Sequence, residues 1–170
     1  VNRRQRLSFP DGYSAAMVRM DPVTRAAAKA SLTRLYADGG TAMGTWLLAA
    51  AQLFDTVPSL TQRHVILLTD GENQHETPQQ LSQAIATVRG RFQADCRGLG
   101  AAWQVDEVRR IAQALMGTVD LIPRREDMAL EFESLMRTSM GRGVASASLR
   151  VWAPQGAEVL FVRQVAPTLE

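Results

Sequence analysis

Apolar residues switch between helical spacing and short unbroken runs for most of the chain. Leu47, Leu48, Ala51 and Phe54 share one face of a helix expected from about Ala42 to Phe54, with Thr41 as its N-cap behind Gly39-Gly40 and Pro58 beyond its end. The run His64 to Thr69, HVILLT, shows no alternation. That is how a strand covered on both faces reads, so it is placed at the middle of a sheet. Thr77-Pro78 followed by Gln80 combines an N-cap, an N1 proline and a capping box. Leu81, Ile85 and Val88 repeat at helical spacing behind it, and the helix ends near Gly90. Phe92, Ala94, Cys96 and Gly98 mark one face of a strand over Phe92 to Leu99. Val105, Val108, Ile111, Ala112 and Leu115 then form an amphipathic helix closed by Gly117. A short strand, Thr118 to Ile122, leads to a last helix from about Glu126 to Met140, with Met128, Phe132, Leu135 and Met136 facing inward and Gly141 ending it.

Upstream, Arg4 to Phe9 reads as a short strand ending at the turn cluster Pro10-Asp11-Gly12. Asp21 and Pro22 open an alanine-rich helix expected to reach Tyr36. Strand and helix therefore alternate, which predicts an α/β fold over residues 1–143: a doubly wound, mostly parallel sheet with helices on both faces. From Ala147 the texture changes. Leu149, Val151 and Ala153 alternate, Pro154-Gln155-Gly156 turns, and Val159, Phe161 and Val165 follow. Residues 144–170 are expected to form a β-hairpin that either docks on the α/β layer or starts a second, β-rich domain.

Composition narrows the class. With 170 residues, 46% hydrophobic and 21% charged, the chain can bury one core and is not of the disordered type. The net charge is +2, and Lys29 is the only lysine. Arg3, Arg4 and Arg6 form one basic cluster, but no aromatic residues interleave with it, so a nucleic-acid groove is not expected. Cys96 is the single cysteine; it allows no internal disulfide, and its strand position points to a buried, inert thiol. No apolar run reaches the roughly 18 to 20 residues of a membrane span, so no membrane contact is expected. The chain reads as soluble, with a cytoplasmic location favoured.

Chemistry in an open parallel sheet collects at the carboxyl ends of strands. Asp70 follows HVILLT directly, with Gly71 for a sharp turn and Glu72 and Asn73 as further oxygen donors; its plainer role is that of a turn aspartate. Thr41 opens a helix, and its plainer role is capping. A nucleotide-hydrolysing reading of GGTAMGT as a phosphate loop fails because Gly44 is followed by Thr45 and Trp46 rather than by a lysine. A hydrolase reading finds no G-x-S-x-G elbow and no evident serine partner for His64 or His75. His64 is expected to be a satisfied boundary residue and His75 a solvated loop residue. A catalytic role is therefore not expected.

The strings Asp38-Gly39-Gly40-Thr41-Ala42-Met43-Gly44 and Ile66-Leu67-Leu68-Thr69-Asp70-Gly71-Glu72-Asn73 resemble the von Willebrand factor type A domain. Trp103 to Gly117 is similar to that family's penultimate helix, and the resemblance runs from about Arg4 to Gly143. It implies a protein-binding module whose adhesion site holds Mg²⁺ or Mn²⁺ and captures an acidic side chain of a protein ligand. Thr41 and Asp70 match the family's second-loop and third-loop metal ligands. The first-loop Asp-x-Ser-x-Ser occurs nowhere in these 170 residues. The domain is accordingly expected to begin inside the fold, lacking its first strand, with weak or absent metal binding by this chain alone. An exposed sheet edge beside HVILLT would then offer a route to homo-oligomers. The competing reading is a metal-independent structural or interaction module.

Overall fold

The computed structural model describes residues 17–33, 41–60, 62–70, 72–100, 105–141, 148 and 150–161. The expected strand at Arg4 to Phe9 and the residue Trp103 lie outside them. The chain divides into two compact units, Val1–Leu60 with Gly71–Arg91, and Thr61–Asp70 with Phe92–Glu170.

In the first unit, helix α1 spans Pro22–Leu32. Asp21 caps it reciprocally: its carboxylate accepts from Thr24 N–H at 2.9 Å, while its own N–H donates to the Thr24 hydroxyl at 2.8 Å. The helix ends at Leu32, short of the expected Tyr36. Helix α2, Met43–Asp55, and helix α3, Pro78–Val88, pack on each other. Leu47, Ala51 and Phe54 are buried on α2, whereas Leu48 is exposed. The capping box at Thr77 forms as the spacing predicts, with Thr77 Oγ1 accepting from Gln80 N–H and Gln80 Oε1 accepting from Thr77 N–H. Past α3, Gly90 turns at φ +75°, and Arg91 reaches back to α2, its guanidinium 2.7 Å from both Asp55 oxygens.

The second unit holds a parallel sheet with the order β1 (His64–Thr69), β2 (Gln93–Leu99), β3 (Val119–Ile122). His64 pairs with Gln93 and Thr69 with Gly98; Cys96 pairs with Val119 and Leu99 with Ile122. Parallel strands alternating with helices confirm the α/β, Rossmann-like class. Among the described residues β1 is at one end of the order and mostly half-buried, and β2 is central; the strand expected at Arg4 to Phe9, which bears on the place of HVILLT, lies outside them. Five successive β2 residues, Ala94 to Gly98, are buried, so both faces are covered despite Asp95 and Arg97. Asp95 meets His64 and Thr118, and Arg97 Nη1 donates to Cys96 O and Thr118 Oγ1.

Helix α4, Val105–Ala114, packs on β2 and β3, with Val108, Ile111 and Ala112 buried. It ends in a Schellman motif: Gly117 N–H bonds Ala112 O at 2.8 Å and Met116 N–H bonds Gln113 O at 3.3 Å. The left-handed residue of that motif is Met116, at φ 55°, rather than the expected glycine. Gly117 is required for another reason, because a Cβ there would lie 1.8 Å from the Ala94 carbonyl oxygen. Helix α5, Met128–Met140, follows a single 3₁₀ turn, Arg125–Asp127. Leu135 is buried as expected, but Met136 is 45% exposed. Of the expected C-terminal hairpin, the described residues show the turn, closed by Ala157 N–H to Pro154 O at 3.0 Å, without strands on either side.

Candidate functional site

The amino end of α2 is built from two stretches about thirty residues apart. Thr41 was expected to cap the helix, but the N-cap is Ala42, which offers no side-chain acceptor. The helix therefore begins with orphaned N–H donors. Glu76 satisfies them from the loop before α3. Its carboxylate accepts from Gly44 N–H and Thr45 N–H, both at 2.7 Å, and from the Thr45 hydroxyl at 2.6 Å. The Asn73 side-chain amide adds a contact at 3.3 Å. Gly44 makes room for it, since a Cβ there would meet Glu76 Oε2 and Ala84 Cβ at 2.9 Å each.

Burial pushes the Glu76 carboxyl up, but the bonds from the Thr45 hydroxyl, the two backbone amides and Asn73 together outweigh it. The group titrates below its ordinary 4.5. A negative charge also suits the positive end of the α2 dipole. One turn upstream, the Thr41 carbonyl accepts from Gln74 N–H at 3.1 Å and His75 N–H at 3.2 Å, so the same loop is held at a second point. No local sequence pattern announces Glu76; it stands just before an N-cap threonine, where it reads as an ordinary loop residue.

Thr41 is half-buried, and its hydroxyl makes no hydrogen bond to another described residue. Asp70, in the second unit, follows the last residue of β1 and is exposed, and its carboxylate likewise accepts no bond from the described residues. Both oxygens have the hard-donor chemistry that suits Mg²⁺ or Mn²⁺. Among the described residues no group of three or more His, Cys, Asp or Glu is placed to hold a metal. His75 is exposed, in keeping with a solvated loop residue.

A second polar cluster lies within the sheet unit. Asp95, 1% exposed on β2, accepts from Thr118 N–H at 2.7 Å and the Thr118 hydroxyl at 3.0 Å, and its other oxygen is 2.8 Å from His64 Nε2. His64 Nδ1 is 2.7 Å from Ser139 Oγ on α5. The expectation that neither histidine has a serine partner is therefore corrected: Ser139 is 75 positions away, and only the fold joins them. Ser, His and Asp in sequence of contact have the hydrogen bonds of a nucleophilic triad. Ser139, however, sits in the last turn of α5 and spends its N–H on the helix ladder, so its own amide does not serve as an oxyanion donor. The cluster ties β1, β2, the start of β3 and α5 together, and His64 is the satisfied boundary residue expected. Cys96 beside it is fully buried, its thiol pushed up to about 12 by burial and then by the Asp95 charge, which makes it inert.

A family model for the von Willebrand factor type A domain matches residues 8–121. A solved von Willebrand factor type A structure from Catenulispora acidiphila superposes with a TM-score of 0.83 at 47% identity, covering 92% of this chain and 37% of that one. An uncharacterized protein of Synechocystis sp. is 27% identical over 143 residues, which is 83% of this chain and 34% of that protein. Proximal thread matrix protein 1 from the mussel byssus gives a TM-score of 0.48 at 22% identity, over 68% of this chain and 28% of that one. The chain spans only a little over a third of the relatives it matches, 34% and 37%. No helix among the described residues is long and apolar enough to cross a membrane.

Proposed function

The chain belongs to the von Willebrand factor type A family, and from that membership we propose that this protein-interaction module recognises its ligand through a divalent cation, Mg²⁺ or Mn²⁺, with Thr41 and Asp70 as its candidate ligands by their match to the family's motifs. The observation that carries the reading is the uncommitted state of both oxygens: neither the Thr41 hydroxyl nor the Asp70 carboxylate is spent on another described residue. Asp70 supplies the charge, Thr41 a neutral oxygen, and Glu72 and Asn73 stand beside Asp70 in sequence as further donors. A bound cation would supply an open coordination position for an acidic side chain of a protein ligand. The role is binding rather than catalysis.

Because the Asp-x-Ser-x-Ser loop is absent from the sequence, affinity in this chain is expected in the millimolar range. Mn²⁺ broadens amide resonances near its site, so a titration should broaden signals near Thr41 and Asp70 first. Asp70→Ala should abolish that broadening. Broadening that is unchanged in Asp70→Ala, or that centres away from both residues, overturns the proposal.

A further inference from the structure

We propose that Glu76 is a positioning residue for Thr41: by capping α2 from a distance it fixes the backbone that presents the Thr41 hydroxyl. The proposal rests on the reading of Thr41 as a metal ligand, and it adds a residue which that reading does not contain.

The N-cap of α2 is Ala42, which has no side-chain acceptor, and the second and third helical residues are Gly44 and Thr45; Glu76 accepts from both N–H groups at 2.7 Å. Thr41 stands one residue before the N-cap. Its carbonyl is held by Gln74 and His75 N–H, and its Oγ1 makes no hydrogen bond to another described residue. The loop that carries Glu76 thus holds the start of α2 at two points, the Thr41 carbonyl and the second and third helical N–H groups. Gly44 is part of the device, because a Cβ at 2.9 Å from Glu76 Oε2 would displace the carboxylate. Such an arrangement orients a ligand oxygen through a neighbouring residue that does not itself touch the ion.

Amide hydrogen exchange on the 170-residue chain, without added metal, tests the anchor. Glu76→Ala should speed exchange about tenfold or more at Gly44 and Thr45 and also at Gln74 and His75. Glu76→Gln, which keeps one acceptor oxygen and the side-chain length, should give a smaller increase at all four. If Gln74 and His75 keep their protection while Gly44 and Thr45 lose theirs, the loop is held without Glu76 and the proposal is overturned. The Mn²⁺ titration separates the two readings. Broadening near Thr41 should be lost in Glu76→Ala and partly restored in Glu76→Gln, with the chain still folded by circular dichroism. Broadening that persists in folded Glu76→Ala sinks the role of Glu76 and leaves the metal site standing. No broadening in the unaltered chain removes the metal site, and with it a positioning role toward metal, while the exchange data still decide whether Glu76 anchors the loop.

Discussion

Glu76 and Asp95 are both carboxylates that gather several donors, at different depths. Glu76 is half-buried and joins a loop to the first turn of α2. Asp95 is 1% exposed on the central strand and joins Thr118 directly to His64, and through His64 to Ser139. An unmade bond at the first site can be replaced by water, so its loss frees a loop. At the second site the carboxylate itself is buried, and a lost donor leaves it at full desolvation cost. The comparison separates a carboxylate that shapes a candidate binding surface from one that holds the sheet unit together.

The strongest perturbation targets the backbone contact beside Asp95. Gly117→Ala would put a Cβ 1.8 Å from Ala94 O and 2.9 Å from Asp95 N, both backbone atoms that cannot step aside. Urea unfolding should show a loss of about 4 kcal/mol or more, or no folded chain at all. A stable Gly117→Ala protein would mean that α4 and β2 approach less closely than described.

Next in size is Asp95→Ala, which removes the acceptor of Thr118 N–H and the partner of half-buried His64 and should cost about 2 kcal/mol by the same measurement. A cost under about 1 kcal/mol would erase the contrast between the two carboxylates, since Asp95 would then behave like a surface group.

Glu76→Gln should cost least, about 1 kcal/mol near pH 7, the usual worth of a helix cap. Its pH dependence sharpens the contrast. Because the folded carboxyl titrates below 4.5, the unfolded chain binds more protons in that region, and the stabilisation is fully present above 4.5. It is lost as the pH falls through the folded value. Denaturation curves of the unaltered and Glu76→Gln chains should therefore differ at pH 7 and converge as the pH drops below 4.5. A gap that widens toward acid would reverse the sign and contradict the cap.

Local bonds were legible in the sequence. The capping box of Thr77 and Gln80, the cap of Asp21 and the stop at Gly90 depend on residues no more than three positions apart, so composition and spacing suffice to predict them. The strings around Thr41 and Asp70 likewise led to the family, and the alternation of strand and helix patterns to the α/β class. Tertiary structure alone decided that β2 is buried on both faces, because QADCRGL looks too polar until Asp95 meets His64 and Thr118 across 31 and 23 positions. It also decided that Glu76 rather than Thr41 caps α2, over a separation of 31 and 32 positions. It made Met116 rather than Gly117 the left-handed residue, because a neighbouring strand already required Gly117 to lack a side chain. Sequence patterns report what a residue can do within a turn of its neighbours. A donor's choice among distant acceptors is made only when folding brings them within hydrogen-bond reach.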